Sequence, residues 1–124
     1  MVKHKPNFQP LDKNRQPTGD SIPYIPIIVI VGTETHRLAL HHDVTQRFLP
    51  ASMREWTVSH PVIGAKILTV YGFHKGVPCS SKGFTQTEAR RAAMGRLDVL
   101  LERIGSDAFN AKIAAELERA TSEI

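Results

Sequence analysis

Thr85-Gln86-Thr87-Glu88-Ala89-Arg90-Arg91-Ala92-Ala93-Met94-Gly95-Arg96-Leu97-Asp98-Val99-Leu100-Leu101-Glu102-Arg103-Ile104-Gly105 is the stretch on which the fold turns. Thr85 and Glu88 have the spacing of a capping box, in which each side chain satisfies a free N–H at the other position. Ala89, Ala93, Leu97, Leu100 and Ile104 recur every three or four residues and lay one apolar stripe along a helix. Gly105 is placed to stop that helix, because the position just beyond a helix end favours a left-handed backbone. Ser106 or Asp107 then caps another helix, with Phe109, Ile113, Leu117 and Ala120 on one face. The link is too short for a crossover, so the two helices are expected to form a C-terminal hairpin.

Upstream the pattern changes to strands. Tyr24 to Val31 is almost wholly apolar and β-branched and reads as a strand buried on both faces, with Pro26 near its start where a missing N–H is tolerated. Gly32 to Thr35 is a turn, and His36 to Leu40 returns as a second strand. Asp43 and Gln46 repeat the capping-box spacing, so a helix is expected from about Val44, broken or restarted at Pro50 and reaching Trp56. Its inward side would carry Phe48, Leu49, Met53 and Trp56. Ala65 to Phe73 reads as a further strand, with Lys66, Leu68 and Val70 on one face. Lys75 to Lys82, with its glycine, proline and serines, is a loop or hairpin. The order is ββα, a strand or hairpin, then αα. This predicts an α+β fold, a small antiparallel or mixed sheet with helices on one face.

Residues 1–23 differ from the rest. They hold Pro6, Pro10, Pro17 and Pro23 with Lys3, Lys5, Lys13 and Arg15, and their few apolar residues show no period. They are expected to form a flexible basic arm, with residues 24–124 as a single domain.

The chain has 124 residues, 41% hydrophobic and 23% charged, a globular composition able to bury one core. Cys79 is the only cysteine, which excludes a disulfide framework and favours a reducing compartment. The longest apolar run, Ile25 to Val31, is far short of the roughly 20 residues that span a bilayer. No apolar core of a secretory signal stands at the N-terminus. A cytoplasmic protein without a membrane segment is expected.

Neither metal nor cofactor chemistry has a specific signature. His4, His36, His41, His42, His60 and His74 are plentiful, but only Cys79 supplies sulfur, and no HExxH or paired CxxC is present. A Cys79 nucleophile with His60 or His74 as base would need the two to meet in space. The carboxylates are scattered, and Gly72, Gly76 and Gly83 are too far apart for a phosphate loop. No catalytic residue, metal or cofactor is assigned, and the chain is read as a binding protein.

Charge points to the partner. Lys112 and Arg119 stand against Asp107, Glu116, Glu118 and Glu123, leaving residues 105–124 at −2, so with a net charge of +4 the remainder carries +6. A basic body favours polyanions through steering and counterion release. Lys82, Arg90 and Arg91 surround the start of the capped helix, where free N–H groups and the helix dipole suit phosphate. Lys75 and Lys66 would extend that patch.

The strand, loop and helix from about Ala65 to Leu101 resemble the second half of a double-stranded RNA-binding domain, in which a Gly-containing loop leads into a helix of the form Ser/Thr-x-x-x-Ala-Lys-x-x-Ala. Gln86 and Thr87 stand where that family favours lysines, and no counterpart of its first-helix motif precedes them. The Gly83-Phe84-Thr85-x-x-Glu88-Ala89 pattern is similar to the arm-binding domains of phage integrases, which read DNA with a three-stranded sheet. Both resemblances imply a nucleic-acid partner, and the charge pattern puts its contacts at Lys82, Arg90, Arg91, Lys75 and Lys66. The alternative is a protein-interaction module (a small regulator, inhibitor or assembly factor, as a single chain or a homodimer) that docks through Phe109, Ile113 and Leu117 on the last helix.

Overall fold

Alternation of apolar and polar side chains sets the central sheet. The computed structural model describes residues 6–11, 14, 16, 19 and 21–122. Among them the strands are β1 (Asn7–Phe8), β2 (Ile22–Pro23), β3 (Ile25–Val31), β4 (Glu34–His42), β5 (Trp56–Ser59), β6 (Lys66–Thr69), β7 (Tyr71–His74) and β8 (Val77–Ser80), and the α-helices are α1 (Gln86–Ile104) and α2 (Ser106–Ser122). Strands β3-β4-β5-β6 form a four-stranded antiparallel meander, β7 and β8 a hairpin, and β1 pairs with β2. The fold is α+β with antiparallel sheets and two adjacent C-terminal helices.

On β3, Ile27, Val29 and Val31 are buried, whereas Ile28 and Ile30 are 57% and 74% exposed. The strand expected to be buried on both faces therefore has one wet face. The inward set joins Leu38, Leu40, Val58, Leu68 and Val70 to make the apolar side of the sheet. Ala89, Ala93 and Leu97 of α1 and Phe109 and Ile113 of α2 close over it. Both helices thus cover one face, and the stripe on α2 serves the chain's own core. Phe109 and Ile113 are buried and Leu117 packs against the cluster, which removes them as an exposed partner surface.

The capping box at Thr85 forms as its spacing requires. Thr85 Oγ1 accepts from Glu88 N at 3.2 Å, and Glu88 Oε1 accepts from Thr85 N at 2.9 Å. Gly105 takes φ +86 and its N–H bonds to the carbonyl of Leu101, ending α1. The helix expected between Val44 and Trp56 is replaced by two short 3-10 turns, Val44–Gln46 and Ala51–Met53, and then by β5. Asp43 caps its own turn through Thr45 N, while the Gln46 side chain turns away to exchange two hydrogen bonds with Glu55. Phe48 and Met53, expected inward, are 79% and 50% exposed. The single strand expected from Ala65 to Phe73 is two, β6 and β7, separated at Val70.

The opposite face of the sheet carries a second, smaller cluster. Phe8 and Tyr24 meet edge to face at 5.7 Å over Ala39, and all three are buried. Tyr24 N bonds to the carbonyl of Pro6, and Leu11 N to that of Gly64. Part of the stretch read as an arm is therefore docked across the sheet. Lys3, Lys5, Lys13, Arg15 and His4 lie outside the described residues. Among the described residues no helix is long and apolar enough to cross a membrane.

Candidate nucleic-acid interface

Strand β6 is an edge of the four-stranded sheet, and α1 and the start of α2 pass beside it. Between them runs a groove in two stretches. One, of about 290 Å³, lies between Leu68, Tyr71, Arg96 and Arg103; the other, of about 370 Å³, between His60, Lys66, Arg103, Lys112 and Glu116. Ile67, Leu100 and Arg103 line both, so the two stretches adjoin. Lys66, Arg96, Arg103 and Lys112 give it four cations against one carboxylate, Glu116. Among the described residues no ion pair neutralises any of the four.

Helix periodicity explains the alignment. Arg96 and Arg103 are seven residues apart, close to two turns, so both flank the same side of the Ala93–Leu97–Leu100 stripe. The guanidinium carbon of Arg96 sits 4.0 Å from the centroid of the Tyr71 ring, a cation–π stack. Its Nε is buried without a hydrogen-bond partner. The stack holds the head beside the groove, and arginine is the cation suited to phosphate recognition.

Of the cations proposed from sequence, one, Lys66, lines the groove. Lys75 occupies the tip of the β7–β8 hairpin with φ +51, and Lys82 sits in the turn before α1. Arg90 and Arg91 are exposed, and adjacent helical residues diverge by about 100° around the axis, so they point to different sides. The helix N-terminus is already served by a carboxylate. Its hydrogen bond from the Thr85 N–H, then that from the Thr85 side chain, hold the Glu88 carboxyl below its ordinary pKa, with Arg91 adding a favourable charge. An incoming phosphate would meet that anion. Sequence reasoning missed Arg96, Arg103 and Lys112. The seven-residue spacing of the two arginines was the available signal; the third cation comes from another helix and had none.

The histidines are distributed, not clustered. Period-two alternation sends His41 and His42 to opposite faces of β4. His41 is buried under Phe8 and bonded to Ser59 Oγ, whereas the His42 ring lies 4.2 Å from that of Trp56. His36 Nε2 meets Asn110 Oδ1 at 2.6 Å, and Asn110 Nδ2 donates to the carbonyl of Val31, fixing α2 to the end of β3. His60 lies under the groove and accepts through Nδ1 from Val62 N and Ile63 N. Burial, then the charge of His36, lowers its pKa. Cys79 is half-buried on β8. Among the described residues no three His, Cys, Asp or Glu side chains converge as a metal ion would need.

A second concavity, of about 430 Å³, lies on the arm side of the sheet between Pro10, Leu11, His41, Ser59, Gly64 and Lys66. Within it His41 and Ser59 bond each other, and Gly64 binds the arm. No family model, no curated protein and no solved structure matches the chain.

Proposed function

We propose that this chain is a non-enzymatic binding protein for a polyanion, nucleic acid in the first place, held in the groove beside β6. The observation that carries the reading is the convergence of Lys66, Arg96, Arg103 and Lys112, from one strand and two helices, onto two adjoining concavities that share Arg103. Phosphate contacts of this kind position a backbone and carry little base information, so binding is expected to be strong in charge and weak in sequence preference. With an aromatic content of 6%, Tyr71 already stacked on Arg96 and Trp56 buried, stacking platforms for single strands are scarce, and a duplex is the favoured form. A cytoplasmic location suits the reading.

The test is fluorescence anisotropy of labelled duplex DNA, duplex RNA and single strands across a salt series. Four cations on a duplex would give a slope of log K against log salt of roughly −3 to −4. Arg96→Ala with Arg103→Ala should weaken binding and flatten that slope by about 2. Lys82→Ala with Arg90→Ala and Arg91→Ala should do less. If the second set removes binding and the first does not, the interface is at the helix start. Absence of binding at low salt, where attraction is strongest, would overturn the reading.

A further inference from the structure

The edge of the sheet opposite the groove has its own chemistry. Strand β3 is Ile25-Pro26-Ile27-Ile28-Val29-Ile30-Val31, seven residues without a charge, and among the described residues only β4 pairs with it. Exposed edges in monomeric proteins are ordinarily blunted by charged side chains, bulges or shortness. Here the exposed face of the edge presents Ile28 and Ile30 at 57% and 74%.

Register fixes which backbone groups are free. Val31 opposes Glu34 across the two-residue loop Gly32-Thr33, so that pair exchanges both of its hydrogen bonds. Alternation then turns the N–H and C=O of Val29, Ile27 and Ile25 toward β4, and those of Ile30 and Ile28 away from it. Pro26 falls on the outward set, where its lack of an N–H does no harm. At Ile28 and Ile30 the free edge thus offers two donors and two carbonyls.

We propose that this edge pairs antiparallel with β3 of a second copy, with Val29 on the two-fold axis. The strand reads nearly the same in both directions about Val29: Ile28 mirrors Ile30, and Ile27 mirrors Val31. In that register Ile28 of each copy opposes Ile30 of the other, and the two pairs exchange four hydrogen bonds that use every free donor at those positions. Four isoleucines then meet on the wet face. A two-fold interface requires a self-complementary patch, and this one is apolar, balanced in donors and acceptors, and free of like charge at the axis. The nearest cation, Arg37 opposite Ile28, is drawn over the Tyr24 ring at 5.9 Å. The groove lies at the far edge of the sheet, so it stays open in both copies. The dimer does not depend on the nucleic-acid reading.

The test is sedimentation velocity on the full chain from micromolar to millimolar concentration, with hydrogen exchange of single amides by NMR. The expected result is a dimer in which the Ile28 and Ile30 N–H groups are protected, and lose that protection on dilution. Ile30→Lys should raise the dimer dissociation constant by roughly tenfold or more with the circular dichroism spectrum unchanged. Ile30→Thr, milder toward folding, should act in the same direction. A monomer at every concentration overturns the proposal. So does a dimer in which both amides exchange freely, because its interface would lie elsewhere.

Discussion

His41 Nε2 lies 2.7 Å from Ser59 Oγ, and Nδ1 of the same ring lies 2.7 Å from the carbonyl of His42. A carbonyl can only accept, so the proton sits on Nδ1, and Nε2 accepts from the serine hydroxyl. This neutral tautomer suits a ring that is 5% exposed. Burial is the first cause of a lowered pKa at both His41 and His60. Their folded pKa values lie below the unfolded value of 6.5, so the unfolded chain takes up protons first. Stability is complete above that value and falls as pH drops toward the folded values. Urea midpoints should therefore decline from neutral pH to about pH 5, and less steeply in His41→Gln, which keeps a polar partner for Ser59 and does not titrate.

Gly64 has φ +85, and a Cβ there would run into the Gln9 carbonyl and touch Leu11. Gly64→Ala should unseat the docked stretch Pro6–Leu11 while the helices hold. Limited proteolysis checks this: cleavage upstream of Tyr24 should speed up several-fold, with the core resistant.

Leu97 is 1% exposed and meets the sheet at the centre of α1. Leu97→Ala should lower unfolding free energy by about 2–5 kcal/mol in urea titrations. Val99, on the same helix but 54% exposed, should tolerate alanine with less than about 0.5 kcal/mol of change.

Thr85→Ala removes the cap acceptor for Glu88 N and should cost about 1 kcal/mol, read in the same titration. Nucleic-acid affinity should hold, because Thr85 is not part of the groove lining.

Local signals were read well from sequence because local chemistry decides them. Thr85, Glu88 and Gly105 bound α1 wherever the rest of the chain goes, and the stripe Ala89–Ala93–Leu97 is fixed by the helical period. The Asp43–Gln46 spacing misled because a capping box needs a helix to cap. Gln46 found Glu55 instead, and the β-branched pair Thr57–Val58 drew the chain into the sheet beside Trp56. The all-apolar run of β3 concealed its alternation, since Ile28 and Ile27 are the same residue type on opposite faces. The groove was illegible for another reason. Lys66, Arg103 and Lys112 are neighbours only after β6, α1 and α2 have packed. His41 and Ser59 likewise meet as diagonal neighbours across the β4–β5 register.

Trp56, the only tryptophan in the chain, lies where the sheet touches the entry to α1. Its Nε1 donates to the Phe84 carbonyl, its backbone N–H to Ser81 Oγ, and its ring is tilted on His42. One intrinsic fluorophore therefore reports on that junction. Its emission senses the loosening of the α1 entry without any label, giving an optical readout of how the helical layer is seated.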